Sequence, residues 1–317
     1  MRPKSAAQPG KNFDPAPPEL LLRITFACNQ ACIFCNTYHM KKNNDTCRDV
    51  LVACKNATGT GMIPLFTGGE PTIHRDIIKM IHIARETGHR RVGIQTNAVL
   101  MADESFAGKL RKAGLTFAIL SLHSHDENTS DAITGAPGTF ARTMRGISNL
   151  ISEGVDIIIN HVLCSVNYRD AERFIDFVNE TIIEKMGCHA TEEYGFLSLS
   201  FVQPMGRAHG AKDVVPKLSE AGPFFAAALR RANELGITIT NPGCGVPVCF
   251  TPGLEAYSSE YHLLLRRMYD VGTFRVNMTR KVKSKQCAGC AYDRLCLGVW
   301  ESYSEMYGLD ELTPIEK

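Results

Sequence analysis

Three cysteines at fixed spacing, Cys28, Cys32 and Cys35, follow directly on a β-like run from Leu20 to Phe26. A C-x3-C-x2-C run offers three thiolates, whereas a cube-shaped [4Fe-4S] cluster ordinarily takes four. One iron is then left to hold a small molecule by its amine and carboxylate. Such a site needs a strand end, a short irregular loop and a ligand pocket in one place. Short cysteine spacings also suit zinc, so a structural zinc site is the alternative on spacing alone.

Downstream, strand-like and helix-like stretches alternate at the interval of repeated βα units. The strand-like ones are Leu20 to Thr25, Ile63 to Thr67, Arg91 to Gln95, Phe117 to Leu122, Val155 to Val162 and Leu197 to Val202. Amphipathic helical patterns run over Ile73 to Thr87, Phe140 to Glu153, Ala171 to Ile183 and, after the sixth strand, Phe224 to Leu235. Short parallel strands separated by helices imply right-handed crossovers and an α/β barrel whose chemistry sits at the strands' C-terminal ends.

About one βα unit after the cysteines stands Leu65-Phe66-Thr67-Gly68-Gly69-Glu70-Pro71. Paired glycines at a strand end leave backbone groups open to a ligand, and Glu70 offers a carboxylate to a cationic ammonium. With these residues the chain resembles the radical S-adenosylmethionine superfamily, whose members pair C-x3-C-x-aromatic-C with Gly-Gly-Glu-Pro after the second barrel strand. Phe34 fills the aromatic position. The resemblance covers residues 18 to 240 and implies a partial (β/α)6 TIM-like barrel. It also implies a [4Fe-4S] cluster on Cys28, Cys32 and Cys35, and S-adenosylmethionine held by its amino group at Gly68, Gly69 and Glu70.

The family's adenosine-binding positions fall on Ser121 after strand four, Asn160 on strand five and Met205 after strand six. A Ser or Asn ending a strand can equally satisfy backbone groups, and a Met can simply pack. His123 and His125 flank the end of strand four and read either as an acid-base pair or as an exposed loop pair.

A second cysteine-dense region begins at Asn241-Pro-Gly-Cys244-Gly-Val-Pro-Val-Cys249 and continues in Cys287-x2-Cys290-x5-Cys296, followed by Gly298 and Trp300. It resembles the twitch extension of the same superfamily, a shortened SPASM domain carrying one auxiliary [4Fe-4S] cluster; zinc is again the alternative. The resulting division is an N-terminal loop segment over 1–19, the barrel over 20–240 and the twitch extension over 241–317. A Val299 to Tyr307 helical pattern closes the chain, with Tyr303 and Tyr307 read as packing residues.

Five thiols compete there for four ligand places. Cys287, Cys290 and Cys296 go together by spacing. Cys244 lies between glycines, whose free N–H groups can hydrogen-bond a cluster sulfur. Cys249 sits in Val-Pro-Val-Cys-Phe, where apolar neighbours raise a thiol's pKa and keep its hydrogen in place. Cys244 is therefore expected in the cluster and Cys249 in the chemistry, with the swap left open. Cys47, Cys54, Cys164 and Cys188 lack partner spacing and read as packed free thiols.

The resemblance implies that cofactor cleavage yields a 5′-deoxyadenosyl radical, which takes hydrogen from a substrate carbon. A thiol on the opposite face then returns hydrogen and inverts the centre. Barrel, single twitch cluster and spare cysteine together resemble epimerases of this superfamily that act on an aminoglycoside sugar. The alternatives are a sugar-alcohol dehydrogenase, which needs no thiol donor, and a peptide-modifying enzyme. Peptide modifiers often carry a leader-binding domain, whereas nineteen residues precede the first strand here. Molybdenum-cofactor cyclases share the layout, but Ile158 stands where that family places a substrate-binding Lys.

Formal net charge is +2 with no basic cluster, so no nucleic-acid track or membrane patch is expected. Residues 1 to 19 lack an apolar export segment, which places the twelve cysteines in a reducing, cytoplasmic setting. An external one-electron reductant such as flavodoxin or ferredoxin is implied as partner.

Overall fold

The computed structural model describes residues 19–41, 44–188, 196–239, 245–257 and 280–316. Six parallel strands form one sheet in sequence order: β1 (Glu19–Thr25), β2 (Ile63–Gly68), β3 (Gly93–Thr96), β4 (Phe117–Ser121), β5 (Asp156–Leu163) and β6 (Leu197–Phe201). The fold is α/β, a partial TIM-like barrel, and β1 and β6 are its two edges.

Helices α1 (Cys47–Ala57), α2 (Ile77–Glu86), α3 (Glu104–Ala113), α4 (Glu127–Thr134), α5 (Thr139–Ser152) and α6 (Ala171–Phe177) fill the crossovers, and α7 (Leu218–Glu234) follows β6. Their starts carry local signals: Thr46 and Asp49 form a reciprocal capping box on α1, and Asp103 and Asp126 cap α3 and α4.

Strands β2 to β6 are largely buried on both faces, which is why segments such as Ile157-Ile158-Ile159 are apolar without alternation, whereas edge strand β1 leaves Leu21 and Arg23 exposed. On the inner face Ile63, Leu65, Phe117 and Ile158 make a small cluster. On the outer face Phe66, Ile94, Leu120, Ile159 and Leu199 join the helices in the main core. The inner cluster needs a glycine: the Phe117 ring lies over Gly93, where a Cβ would collide with it.

The six strands stand where the pattern predicts them. The helices differ in detail. The Ile73 to Thr87 pattern is split into a 3-10 turn at Pro71–Ile73 and α2 from Ile77, because proline starts the turn at the strand end. Beyond α6 the backbone widens into a π turn, Val178–Lys185. Val299–Trp300 is strand β8, paired antiparallel with β7 (Lys281–Val282), and only Glu301–Tyr307 is helix, α8. The change has a local cause: Gly298 adopts φ +83° against the Val282 carbonyl, a contact no Cβ would permit.

Two tyrosines fasten this C-terminal segment to α7. The Tyr303 hydroxyl accepts from Leu218 N–H and donates to Glu311, both at 2.7 Å, while Glu311 accepts from Ser219 N–H at 2.8 Å. Tyr307 donates to the Val215 carbonyl at 2.7 Å. Among the described residues no helix is long and apolar enough to cross a membrane.

Candidate active site

Loops from four strand ends hold the first cysteine run in place. After β1, the chain is laced to the β2 loop by Gly69 N–H to Thr25 O at 2.7 Å and Glu70 N–H to Ala27 O at 2.8 Å. Ala31 and Ile33 donate to the carbonyls of Thr134 and Ile133 at the end of α4. Arg207, beyond β6, donates to Cys35 O at 3.0 Å, and Gly206 beside it stands at φ +60° with no room for a Cβ against Cys35.

All three thiols are free, Cys28 exposed and Cys32 and Cys35 half-buried. Burial pushes Cys32 up to about 12, with Cys28 and Cys35 adding to the rise, and burial also raises Cys28. Cationic iron would reverse the penalty that burial and neighbouring sulfurs place on these thiolates. The Gln30 N–H donates to Cys28 Sγ at 3.4 Å, the kind of amide-to-sulfur bond that tunes a cluster. This donor set fits a [4Fe-4S] cluster with three protein ligands.

The two glycines serve a purpose beyond an open cradle for ligand. A Cβ on Gly68 would collide with Thr25 O, and one on Gly69 with Ala27 O. Their absent side chains let the β1 and β2 loops lie against each other.

Glu70 also differs from expectation. Its side chain is 1% exposed and is consumed internally. One oxygen accepts from Thr72 N–H at 2.9 Å, Thr72 Oγ1 at 2.5 Å and Thr96 Oγ1 at 2.7 Å; the other accepts from Asn97 N–H at 2.8 Å. Burial raises its pKa and these four donors oppose the rise. The carboxylate clasps the β2 and β3 loops together, with three donors on Oε1 and one on Oε2.

Ser121 and Asn160 are register partners on β4 and β5, and Asn160 in turn pairs with Ser198 on β6, so the two predicted adenosine-side residues meet at one rim. Met205 precedes a short turn, Gly206–Ala208, on the segment that contacts Cys35. Phe34 lies edge-on to His123 with ring centroids 5.0 Å apart.

His123 and His125 are not an exposed pair. His123 is 4% exposed and accepts from Val162 N–H at 3.2 Å; His125 is half-buried. His161 stacks on Phe174 at 3.8 Å and its Nδ1 meets Leu122 O at 3.1 Å. Burial lowers His123 to about 4 and His161 to about 3. Both rings are neutral at physiological pH.

At the C-terminal end Cys249, Cys287, Cys290 and Cys296 line one cavity together with Val248 and Pro314. Backbone amides again face sulfur: Tyr292 and Ile315 N–H donate to Cys290 Sγ at 3.4 Å and Gly298 N–H to Cys296 Sγ at 3.3 Å. Burial pushes Cys249 up to about 12, with Cys296 adding. Cys244 lies outside the described residues. Its neighbour Gly245 packs against Phe201, the last residue of β6, and Trp300. Among the described residues no three His, Cys, Asp or Glu side chains converge as a single metal ion requires.

No spacing or motif singles out Thr96, Asn97 or Asn29, yet Asn97 joins Glu70 to the cysteine loop through Asn29. The available signal was Thr96-Asn97 directly after a strand, where polar residues at a barrel mouth point to a site.

Residues 22–178 match the model of the Radical SAM superfamily. A protein of Saccharolobus solfataricus named probable GTP 3',8-cyclase is 30% identical over 187 residues, 58% of this chain and 60% of that protein. The chain thus spans about 60% of the length of the curated relatives it matches. Among solved structures, anSMEcpe with bound AdoMet and a peptide superposes with TM-score 0.61 at 17% identity, covering 93% of this chain and 91% of that one. Streptococcus suis SuiB bound to precursor peptide SuiA gives 0.56 at 20% identity, covering 73% and 49%. These likenesses concern the fold.

Proposed function

We propose that this chain, which carries a Radical SAM superfamily domain over residues 22–178, is an epimerase resembling neomycin C epimerase, converting neomycin C to neomycin B at C5‴ of the aminoglycoside. The observation that carries the reading is Cys249, a thiol on the wall of the cavity lined by Cys287, Cys290 and Cys296 whose burial pushes its pKa up to about 12 and so favours retention of its hydrogen. In this reading the barrel, 20–240, holds one [4Fe-4S] cluster and S-adenosylmethionine, and the twitch extension, 241–317, holds a second cluster.

When bound, the barrel cluster and S-adenosylmethionine supply a 5′-deoxyadenosyl radical that removes one hydrogen atom from the substrate carbon. Cys28, Cys32 and Cys35 would hold three of the irons, and Gly68, Gly69 and Glu70 would form the methionine end of the site. Phe34, Ser121, Asn160 and Met205 would stand on the adenosine side. Cys249 delivers its S–H hydrogen atom to the opposite face, and the thiyl left on sulfur takes up one electron and one proton. Its place beside the auxiliary cysteines gives that electron a short route. The electrons come from an external one-electron carrier such as flavodoxin or ferredoxin in the cytoplasm.

Two observations favour a second reading in which the thiols exchange roles. Cys249 shares a cavity with three ligand-like cysteines, and Gly245, next to Cys244, packs at the C-terminal end of β6. The cyclase chemistry named for the relative finds less support: Ile158, standing where that family places a substrate-binding Lys, is 4% exposed and packs among Ile63, Leu65 and Phe117.

The test is anaerobic turnover of neomycin C with S-adenosylmethionine and reductant in deuterium oxide, for the native chain and Cys249→Ala, with iron counted in both. The reading expects about eight irons in each, one deuterium at the inverted carbon, and a variant that cleaves cofactor without inverting. Inversion by the variant would return Cys249 to the cluster, and a fall to about four irons would support the exchanged roles. Cofactor cleavage with neomycin C untouched would sink the substrate assignment.

A further inference from the structure

The Asn97 side chain has no role in the reaction outlined above, yet it is the most heavily constrained polar residue near the cysteine loop. It is 5% exposed and lies at the start of a left-handed turn: Ala98, at φ +59°, is the one non-glycine residue with positive φ among those described. Such a conformation costs about 1 kcal/mol or more and persists only where its surroundings impose it. Four contacts impose it here, from the β2 loop, the end of β3 and α5. Glu70 accepts from the Asn97 N–H at 2.8 Å, Thr96 Oγ1 accepts from Ala98 N–H at 3.0 Å, and Thr143 on α5 donates to Asn97 O at 2.9 Å. Gly146 on α5 admits the Ala98 carbonyl where any Cβ would collide with it.

The side chain that this turn aims is held at both ends. Its Oδ1 accepts from Val99 N–H at 3.1 Å, and its Nδ2 donates to Asn29 Oδ1 at 2.7 Å. The Val99 bond settles which end of the amide is nitrogen. Asn29 is exposed and stands between Cys28 and Cys32, with Cys28 Sγ 3.9 Å from the same Oδ1. The span from Cys28 to Cys32 is also held at Ala31, through Thr134 O, at Gln30, through its side chain to Thr139 and its N–H to Cys28 Sγ, and at Cys32, whose carbonyl accepts from Cys35 N–H and whose Sγ lies 3.9 Å from Gln30 Oε1; Asn29 is the residue that links it to the Glu70 clasp.

We propose that Asn97 is a positioning residue for the cysteine loop: through Asn29 it transmits the fixed geometry of the Glu70 clasp to Cys28, and so sets where the open iron stands relative to the methionine-binding backbone at Gly68 and Gly69. The proposal rests on the radical S-adenosylmethionine reading of the barrel site. It makes Glu70 act at one remove, by holding Asn97, which accounts for a buried carboxylate with four internal donors.

The test uses Asn29, because an exposed loop residue can be changed without unfolding the chain. Asn29→Asp keeps the Oδ acceptor; Asn29→Leu keeps the size and loses it. Asn97→Ala supplies the second side of a double-mutant cycle. Each reconstituted full-length protein is assayed for iron, for S-adenosylmethionine affinity, and for the change in the reduced cluster's electron paramagnetic resonance spectrum when cofactor is added. Asn29→Leu is expected to keep native iron content, to bind cofactor about tenfold more weakly, as loss of one hydrogen bond implies, and to show a diminished spectral change. Asn29→Asp is expected to restore both, and the double variant to be no worse than Asn97→Ala alone.

Equal affinity and spectra in Asn29→Leu and the native chain would overturn the proposal. So would effects of Asn29→Leu and Asn97→Ala that simply add. A native protein showing no cofactor-dependent spectral change would instead overturn the reading of the barrel site on which the proposal stands.

Discussion

The Tyr303 hydroxyl and the Leu218 amide meet at 2.7 Å, and through that bond the chain's last helix is fixed to the first residue of α7. The same oxygen donates to Glu311, so one buried hydroxyl joins three segments. Tyr303 is 2% exposed, and water has no ready access to replace it.

Tyr303→Phe is therefore expected to lower stability by about 1–3 kcal/mol, the cost of leaving a buried amide and a carboxylate oxygen without their partner. Urea unfolding followed by circular dichroism measures it. An unchanged midpoint would mean that the extension is held by packing alone.

Gly93→Ala places a methyl group in the ring of Phe117 inside the barrel. Strain of about 1–3 kcal/mol is expected, and Gly93→Ala combined with Phe117→Leu should recover part of it. If the double variant is less stable than the sum of the single changes, the collision with Phe117 is not the cause.

Gly69→Ala should act on the site more than on the fold, because its methyl group would collide with Ala27 O just before the cysteine run. Circular dichroism near native, with loss of the barrel cluster's share of iron, is the expected pair of results. Full iron content together with undiminished cofactor binding would show that the two loops can separate at no cost to the site.

His123 and His161 make stability fall in acid. Both are held neutral by burial, with folded pKa values of about 4 and about 3, while an unfolded histidine titrates near 6.5. The unfolded chain binds more protons below about pH 6.5, so each histidine removes roughly 1.4 kcal/mol per pH unit from there down to its folded value. Above that pH neither contributes. Melting temperature measured from pH 7 to pH 5 should drop, and His161→Phe, which keeps the stack on Phe174, should flatten the drop by about half. An identical pH profile in the variant would contradict this assignment.

The strands were readable because β2 to β6 are largely buried on both faces and all six are broken by glycine or polar residues; Ile63 to Thr67 and Phe117 to Leu122 differ from β2 and β4 by one residue. The two cysteine runs were readable from spacing. Glu70 was not, since its partners Thr96 and Asn97 come from the next βα unit and only the folded loops bring them together. Val299 and Trp300 read as the start of a helix because apolar periodicity over so short a stretch cannot register a two-residue pairing with Lys281 and Val282. The surroundings of His123 likewise include Phe34, which lies far from it in the chain, and His161 stacks on Phe174 of the following helix.

The bond from Arg207 N–H to Cys35 O has a consequence for how the protein matures. It ties the loop after the first strand to the turn after the last, so the cysteine run reaches its final shape only once nearly the whole barrel has been synthesised and closed. Long-range contacts of this kind form late. A nascent chain still lacking Gly206 and Arg207 has the contacts around Cys28 and Cys32 within reach but lacks the one that fixes the Cys35 carbonyl.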